Sequence, residues 1–383
     1  MCSSTEPALG MSPLRLHILY EHGHNGHPFG SASIRLLRPL THPVFRGKLD
    51  STAGHSYDGA AVDAVIVDRL WRPDISLSVA RDLRKQVSSA GARLLYALDD
   101  DLTVLAGESK DWRPTLGQLQ ALRYFLEESD GILTTTRPLR ENLLAYNPHI
   151  AVVPNMLDDR LLAGPRVART AYTPSARQYL IRQWSAISRA LRRRRSVTTI
   201  GYMGTFTHDD DLLMILPALQ ELWLRHGDAV AFELLGVAAH ERTRRLLQDL
   251  PVRVRRPGTH RVEYTKFMPW FSRTVSWDIA VSPLCDTHFN RCKSDIKFLD
   301  YCAIGAAGVF SRVPAYSATV RHCETGWLAD NTLEAWVEAL STLVTDTTLR
   351  HHVAMGAAHY LYSERIVRRA ADHWLVAFEQ LMA

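Results

Sequence analysis

The stretch VTTIGYMGTFTHDDDLLMILPALQELW, residues 197–223, decides the fold of this 383-residue chain. It opens with β-branched and apolar residues up to Met203, which predict a strand, and continues as a loop of small and polar residues up to His208. Consecutive aspartates then begin an apolar run of helical length, where acidic side chains suit the positive end of the helix dipole. A strand, a short loop and a helix in this order open a doubly wound α/β domain.

The same unit stands near the start of the chain. Residues 14–20 predict a strand, residues 21–30 form a loop rich in glycine and histidine, and residues 31–40 predict a helix that Ser31 can cap. Further apolar runs predict strands at 63–67, 93–98, 131–135, 150–153, 231–235, 252–255, 279–282 and 309–311. Amphipathic stretches predict helices at 76–90, 115–129, 332–345 and 364–382. Strands alternating with helices favour parallel sheets covered on both faces, so the predicted fold is α/β with two such domains in tandem.

The alternation is interrupted between the two halves of the chain. Residues 158–196 contain two prolines and an arginine-rich segment. We therefore predict a flexible tail at 1–13, a first domain at 14–157, a linker with a basic helical insert at 158–196, a second domain at 197–363 and a C-terminal helix at 364–383.

The composition is that of a soluble protein, with 46% hydrophobic and 22% charged residues. No apolar stretch approaches the ~20 residues of a membrane-spanning helix, and the N-terminus lacks the basic cluster and apolar run of a signal peptide. These features predict a cytoplasmic protein. The cysteines form no CxxC pair and no zinc spacing, which predicts free thiols.

Positive charge is concentrated in the linker. The net charge of +5 is too small to indicate nucleic acid as a partner. Arginines nevertheless fall close together at positions 182, 189, 192, 193, 194 and 195. They are either the solvated end of a linker helix or a site of attraction to anionic lipid headgroups, at roughly 1 kcal/mol per basic residue. The second alternative would place the protein peripherally at the inner membrane face.

The stretch DTHFNRCKSDIKFLDYCAIGAAG, residues 286–308, predicts a phosphate site. It begins as a loop after a strand and enters a helix near Ser294, where free backbone amides and the helix dipole suit a diphosphate. Lys293 and Lys297 add positive charge, and Asp300 lies about one turn farther on, where it could bind ribose hydroxyls. In the other loop, Gly204 and Thr205 would let the backbone approach phosphate oxygens. A capped, solvated helix would explain these residues taken alone, but beside the repeated α/β pattern they favour a phosphate site.

Acidic residues and histidines follow strands of the first half. Asp99, Asp100 and Asp101 come after one strand, where one of them could orient or deprotonate a hydroxyl, or where they simply cap a helix. The first loop carries His22, His24, Asn25 and His27. We predict that Asp99, Asp100 and His22 are catalytic and that His24 and Asn25 bind the acceptor. Metal ligation by the histidine pair is the less favoured alternative, and no metal site is predicted.

Residues 289–309 resemble the donor-site segment of bacterial group 1 (family 4) glycosyltransferases. Residues 200–208 are similar to the first C-terminal loop of that family, and residues 95–102, 130–136 and 152–155 resemble its surface-polysaccharide branch. The resemblance implies the GT-B fold, in which two Rossmann-like domains face a central cleft. It also implies that the C-terminal helix crosses back to the N-terminal domain.

By the same resemblance, the donor is a nucleoside-diphosphate sugar held mostly by the second domain. The residues that would bind the diphosphate are Gly204, Thr205, Arg291, Lys293, Ser294 and Lys297, and Asp300 would bind the ribose. The acceptor would be a glycan, a lipid-linked molecule or another hydroxyl compound. Transfer would retain the anomeric configuration by front-face displacement, and it would need no metal or other cofactor.

The chain departs from the family pattern at two places. Of the two glutamates that the family carries eight positions apart, the second is matched by Asp300 and the first falls on Cys292. The arginine and lysine that often follow the glycine of the first loop are replaced by Thr205 and the acidic residues 209–210. Positive charge on the diphosphate must then come from Arg291 and the two lysines.

Three other functions remain open at this point. Residues 99–101 could be the metal-binding motif of a single-domain GT-A glycosyltransferase. A nucleotide-sugar epimerase of the same two-domain fold would convert the donor without an acceptor. Cys292 and the missing basic pair would also suit a non-catalytic protein that binds sugar nucleotides.

Overall fold

The computed structural model describes residues 12–108, 114–163, 197–204, 209–236, 241–248, 250–258 and 263–383. Thr205 and the arginines between 182 and 195 lie outside the described residues. Contacts divide the chain into two compact units. The first comprises the chain up to Pro154 together with Ala370–Ala383, and the second is Asn155–Arg369.

The first unit contains a six-stranded parallel sheet of order β2-β1-β3-β4-β5-β6. Its strands are β1 (Leu14–Leu19), β2 (Leu49–Gly54), β3 (Ala64–Asp68), β4 (Arg93–Ala97), β5 (Gly131–Thr134) and β6 (Ile150–Val152). Its helices are α1 (30–40, with a π-helical turn at Ser33–Leu37), α2 (Leu77–Ser89), α3 (Leu102–Glu108), α4 (Leu116–Glu128) and α5 (Arg137–Leu143). Every residue of β3 is buried, as expected for a central strand with helices on both faces.

The C-terminal helix returns to this unit. This helix, α14, spans Val367–Met382 and belongs to the first unit from Ala370 onward. Its Leu381 packs against β5, since a Cβ at Gly131 would lie 2.8 Å from the Leu381 Cδ2. The Arg93 Nη1 donates to the Leu381 carbonyl at 2.9 Å. The predicted return of the C-terminal helix to the N-terminal domain is confirmed.

The second unit contains a six-stranded parallel sheet of order β12-β11-β10-β7-β8-β9. Its strands are β7 (Thr198–Met203), β8 (Val230–Leu235), β9 (Val252–Arg255), β10 (Ile279–Ser282), β11 (Ala307–Ser311) and β12 (Trp327–Ala329). Its helices are α6 (Asp209–His226), α7 (Glu241–Leu246), α8 (Tyr264–Thr274), α9 (His288–Arg291), α10 (Ile296–Ile304), α11 (Pro314–Ser317), α12 (Leu333–Thr345) and α13 (Thr347–Tyr360), followed by a π-helical turn at Leu361–Arg365.

The strand orders place one switch point in each sheet. In the first sheet, β2 lies on one side of β1 and β3 on the other, so the switch point falls between β1 and β3. In the second sheet, β8 lies on one side of β7 and β10 on the other, so the switch point falls between β7 and β10. Ligands of open α/β sheets bind outside the carboxyl ends of the strands at such points. The residues that follow these four strands are therefore the candidates for function.

Candidate functional site

Hydrogen bonds of one side chain hold helix α10 at the switch point of the second sheet. The buried Tyr301 on this helix donates its hydroxyl hydrogen to the Val281 carbonyl at 2.9 Å, in β10. The same hydroxyl accepts from the Met203 N–H at 3.2 Å, at the end of β7. One side chain thus bridges the two strands that flank the switch point. It brings the start of α10 to the place where a ligand of this sheet is expected.

The start of α10 is not closed by its own N-cap residue. Asp295 occupies the N-cap position, but its side chain makes no capping hydrogen bond. Both carboxylate oxygens instead accept from Arg365, at 2.8 and 2.9 Å. The neighbouring Ser294 hydroxyl accepts from the Asn155 amide at 2.7 Å and can donate its own hydrogen to a ligand. The Phe298 N–H donates to the Asp295 carbonyl at 2.9 Å, whereas the Ile296 and Lys297 N–H groups have no hydrogen-bond partner among the described residues and can bind an anion.

Lys297 and Asp300 lie within the first turns of the same helix. Asp300 is buried, and Lys297 is partly buried with its ammonium group enclosed. Among the described residues, neither the Lys297 Nζ nor the Asp300 Oδ1 has a hydrogen-bond partner, and the ammonium lies 5.2 Å from the centroid of the Tyr202 ring. Burial lowers the pKa of Lys297 to about 8 and raises the pKa of Asp300 to about 7. Buried polar groups are almost always hydrogen-bonded, so this pair indicates a polar ligand.

The other two basic residues of the segment are placed differently. The Lys293 ammonium lies 4.4 Å from the centroid of the Phe289 ring. Arg291 is exposed and forms a two-pronged ion pair with Asp286, at 2.7 and 2.9 Å. The charge of Arg291 is thus already compensated within its own loop, and its binding of a diphosphate stays a prediction.

The acidic start of α6 has a structural role that the sequence did not reveal. The Asp211 Oδ1 accepts from the Cys285 N–H at 2.7 Å, and the Asp209 Oδ2 accepts from the Thr243 hydroxyl at 2.8 Å. Burial, together with the charge of Asp211, raises the pKa of Cys285 to about 12, so this cysteine is a thiol rather than a nucleophile at neutral pH.

Gly204 directly follows β7 and lies in a crowded place. Its N–H donates to the Leu235 carbonyl at 3.0 Å, and a Cβ on Gly236 would lie only 2.3 Å from the Gly204 carbonyl oxygen. Gly236 also has a positive φ of 78°. The backbones of Gly204 and Gly236, which directly follow β7 and β8, therefore pack against each other, and a side chain at Gly236 would prevent this contact.

The first unit places an arginine among three acids at the ends of its strands. The Arg69 guanidinium lies 2.8 Å from Glu21, 2.6 Å from Asp99 and 3.2 Å from Asp100. Arg69 follows β3 with a φ of 48°, which is unusual for a residue with a side chain. Arg69 and Glu21 were not among the residues predicted from the sequence. The available signal was that both come directly after strands flanking the switch point, one following β1 and one following β3.

Asp68, the last residue of β3, lies against this group. It is buried, and its carboxylate accepts from the Glu21 N–H at 3.0 Å. Burial, with the negative charge of Glu21 as the second cause, raises the pKa of Asp68 to about 8. This carboxyl is therefore mostly protonated at neutral pH, and the net negative charge of the group rests on the other three acids.

The predicted residues of the first loop fall into two environments. The His22 ring is stacked on His55, with centroids 4.1 Å apart, and its Nδ1 lies 2.9 Å from the Gly23 carbonyl oxygen. His24 and Asn25 are exposed, and the Asn25 side chain accepts from the His27 N–H at 3.1 Å. A catalytic role for His22 and acceptor binding by His24 and Asn25 stay predictions.

Comparison with known proteins identifies the chemistry of the second unit. Residues 197–346 match the sequence model of the family described as "Glycosyl transferases group 1". The protein is a glycosyltransferase. The matched segment includes β7, α10 and the helix start described above. A comparison with curated protein sequences found no significant match.

Solved structures resemble this glycosyltransferase over nearly its whole length. A glycosyltransferase from Rickettsia africae has a TM-score of 0.62 at 11% identity, covering 97% of this chain and 99% of that one. HepE from Anabaena, in complex with UDP and glucose, has a TM-score of 0.60 at 11% identity, covering 96% and 99%. Sucrose-phosphate synthase from Thermosynechococcus elongatus has a TM-score of 0.55 at 16% identity, covering 84% and 74%.

These similarities confirm the GT-B fold, with two Rossmann-like domains. The second six-stranded sheet excludes the single-domain GT-A alternative. Assignment to family 4 and to the surface-polysaccharide branch stays a prediction. Within the described part of the glycosyltransferase, no helix has both the length and the hydropathy to cross a bilayer.

Proposed function

We propose that this glycosyltransferase moves a sugar, with retention of configuration, from a nucleoside-diphosphate sugar to a hydroxyl of a glycan or lipid-linked acceptor. The observation that carries the proposal concerns Lys297 and Asp300, beside the open start of α10. The buried Lys297 Nζ and Asp300 Oδ1 have no hydrogen-bond partner among the described residues. HepE, which shares the fold, is known in complexes with UDP and with UDP-glucose. This supports a donor of the same chemical class.

The donor diphosphate would lie at the first turn of α10. The N–H groups of Ile296 and Lys297 and the Ser294 hydroxyl would donate hydrogen bonds to it. Lys293 and Lys297 would supply charge. A dianionic ligand favours the charged form of Lys297 and would therefore raise the pKa that burial lowers. Asp300, in its ionised form, would accept hydrogen bonds from the ribose hydroxyls.

The reaction needs stabilisation of the leaving group more than it needs a protein nucleophile. The acceptor oxygen forms a bond to the anomeric carbon as the bond to the diphosphate oxygen breaks, and the bonding pair goes to the diphosphate. In front-face displacement, the acceptor proton passes to that leaving oxygen. Lysine charge and helix amides would act on the developing negative charge, where preorganised donors contribute most. No metal or other cofactor is needed for these steps.

Acceptor recognition is assigned to the first unit. Of the two predicted aspartates, Asp100 is the better candidate to orient the acceptor hydroxyl. Its side chain is 23% exposed and lies 3.2 Å from Arg69, whereas Asp99 is 16% exposed and lies 2.6 Å from Arg69. Asp99 therefore serves mainly to fix Arg69. His22, His24 and Asn25 would contribute to the same function from the loop after β1.

The proposal is tested by nucleotide binding followed by turnover. Thermal shifts of the wild-type protein with UDP, GDP and dTDP identify the base, because a ligand that binds only the native state raises the melting temperature. The same titrations on Lys297→Met should show a strong loss of affinity. Lys266→Met is the matched control, since Lys266 is exposed and paired with Glu263 in the same unit. No shift with any nucleotide, or equal shifts in Lys297→Met and wild type, would refute the site.

Turnover separates transfer from the remaining alternatives. A matching nucleotide sugar incubated without acceptor and followed by NMR should stay unchanged, apart from slow hydrolysis. Conversion to an epimer would identify an epimerase instead. Full activity after chelator treatment is expected, and strict dependence on Mn²⁺ or Mg²⁺ would contradict the metal-independent mechanism.

A further inference from the structure

Arg365 lies at the centre of a buried network in the second unit. It ends the π-helical turn after α13, and only 7% of its surface is exposed. Its Nη atoms donate to the two carboxylate oxygens of Asp295, and Nη1 also donates to the Tyr360 hydroxyl at 3.0 Å. Nε and Nη2 donate to the Asn155 carbonyl at 3.0 and 2.6 Å. These bonds use all five N–H donors of the guanidinium, which a lysine cannot replace.

The network closes into a ring of four residues. The Asn155 carbonyl accepts from Arg365, while its side-chain amide donates to the Ser294 hydroxyl at 2.7 Å. Ser294 and Asp295 are neighbours in the chain, and Asp295 returns the connection to Arg365. Backbone hydrogen bonds of 2.9 Å from Leu157 N to Arg365 O, and from Val367 N to Leu157 O, fix the two outer segments to each other. Asn155 and Arg365 are 210 positions apart in the sequence.

This ring decides what happens at the start of α10. An aspartate at an N-cap normally accepts hydrogen bonds from the first amides of its own helix. Here Arg365 takes both carboxylate oxygens and neutralises their charge, and Asn155 holds the preceding hydroxyl. Without Arg365, the Asp295 carboxylate would be an anion beside the same amides and could occupy them. It would then compete with phosphate both for hydrogen bonds and for the positive end of the helix dipole.

We propose that Arg365 and Asn155 are positioning residues for the sugar nucleotide. Arg365 holds the Asp295 carboxylate away from the first amides of α10, and Asn155 orients the Ser294 hydroxyl toward the phosphate. Neither residue touches the substrate. The inference rests on the proposed function, because it names what keeps that diphosphate site open.

An ion pair of Arg365 and Asp295 that only stabilises the fold would give a different pattern of effects. Loss of such an ion pair lowers the free energy of unfolding, and removal of Asp295 as well does not restore nucleotide binding. Loss of a positioning residue lowers diphosphate affinity through the released carboxylate, so removal of that carboxylate restores it. Replacing both members of a buried ion pair by apolar residues is often tolerated by the fold, which makes this comparison practicable.

The experiment measures the dissociation constants of UDP, GDP and dTDP for the full-length protein and its variants by calorimetry. For the nucleotide that binds wild type best, we expect Arg365→Met to raise the dissociation constant roughly tenfold, as loss of a charge-assisted network does. In the double variant Asp295→Ala/Arg365→Met, the constant should return to within about threefold of wild type, because the competing carboxylate is gone. Asn155→Ala should raise it by about threefold, the effect of one neutral hydrogen bond.

Arg350→Met is the matched control. Its guanidinium also binds main-chain carbonyls in the second unit, those of Leu343 and Val344, but these lie at the end of α12. Its nucleotide affinity should equal that of wild type. Circular dichroism and urea unfolding of every variant report folding. If Arg365→Met does not fold, the dissociation constants of the double variant and of Asn155→Ala, each compared with wild type, decide the question.

The outcomes distinguish the two proposals. If wild type binds none of the nucleotides, or if Lys297→Met binds as wild type does, the proposed site fails and this inference fails with it. If Lys297→Met loses affinity but Arg365→Met and Asn155→Ala do not, only the positioning role is overturned. A double variant that binds the nucleotide as weakly as, or more weakly than, Arg365→Met also overturns the positioning role. That result would leave an ion pair that only stabilises the fold as the explanation.

Discussion

Replacing Lys297 by methionine should stabilise the protein while it weakens the donor site. The side chain is similar in length and apolar, so the substitution removes a buried charge without leaving a large cavity. In the wild type, the ammonium is buried against the Tyr202 ring and has no hydrogen-bond partner among the described residues. Functional sites often carry such a cost in stability, because the group is arranged for its ligand rather than for the free protein.

The magnitude follows from the pKa of Lys297. Burial lowers it from an ordinary value of 10.5 to about 8. One pKa unit corresponds to about 1.4 kcal/mol, so the charged form is disfavoured in the folded protein by roughly 3 kcal/mol. The contact with the tyrosine ring is lost in the variant and accounts for about 1 kcal/mol. We therefore expect the free energy of unfolding of Lys297→Met to exceed that of wild type by about 1–2 kcal/mol at pH 7.

The pH dependence gives the sign of the effect. The unfolded state of the wild type keeps the lysine proton up to a higher pH than the folded state does, so the unfolded state binds more protons above pH 8. Wild-type stability should therefore gain from this residue as the pH rises from about 8 to 10.5. The penalty is fully present below pH 8. The variant lacks this gain, so its advantage should shrink over the same interval.

Urea unfolding between pH 7 and 10 measures the stabilities, and calorimetric titration with the nucleotide measures the binding. The variant should lose affinity by the ~1.5–3 kcal/mol of a hydrogen bond to a charged group, which is about 10- to 150-fold. Lys266→Met should change neither quantity. A variant that is less stable than wild type at pH 7, or whose stability difference does not change up to pH 10, would refute the burial argument.

Three further predictions concern the other predicted residues. Asp300→Asn should remove a loss of donor affinity that wild type shows as the pH falls through about 7, where Asp300 becomes protonated; the decrease caused by protonation of the nucleotide's own phosphate near pH 6 should persist in both proteins. Asp100→Ala should lower kcat by at least about tenfold while the nucleotide dissociation constant stays within twofold, since we place Asp100 on the acceptor; equal losses in both constants would contradict that assignment. Replacing arginines 192–195 by glutamine should weaken sedimentation with vesicles containing anionic lipid, and the difference should vanish at about 1 M salt; absence of vesicle binding by the wild type would leave a solvated linker as the explanation.

Most strands and helices could be predicted from the sequence because their signals are local. The predicted strands at 63–67 and 252–255 correspond to β3 and β9, and the predicted helix at 115–129 is α4, which Thr115 and Gln118 cap reciprocally. Strand β2 was not predicted. Its sequence, LDSTAG, has no apolar alternation, and it is an edge strand that forms along β1 in parallel register.

The segment that we propose for the diphosphate also has a local signal, since a helix start with nearby lysines is visible in a few residues. What surrounds it could not. The bonds of Arg365 to Asp295 and Asn155 join residues 70 and 210 positions apart, and the ion pair of Arg69 with Glu21 joins the ends of two different strands. Nothing in the sequence near Arg365 or Arg69 indicates these partners. The ion pair of Arg291 with Asp286 could have been predicted from the sequence, because the two residues are only five positions apart.

The amino-acid sequence by itself determined the alternation of strands and helices, the repeat of the opening unit at residue 197, and the basic helix start near Ser294. These depend on propensity, periodicity and capping, which act over a few residues. Only the tertiary structure decided the order of the strands, and with it which loops meet at a switch point. It also decided which charges are neutralised and which polar atoms, such as the Lys297 Nζ and the Asp300 Oδ1, are buried without a hydrogen-bond partner among the described residues. The reason is that burial and ion pairing depend on residues that are distant in the chain and adjacent only in the folded protein.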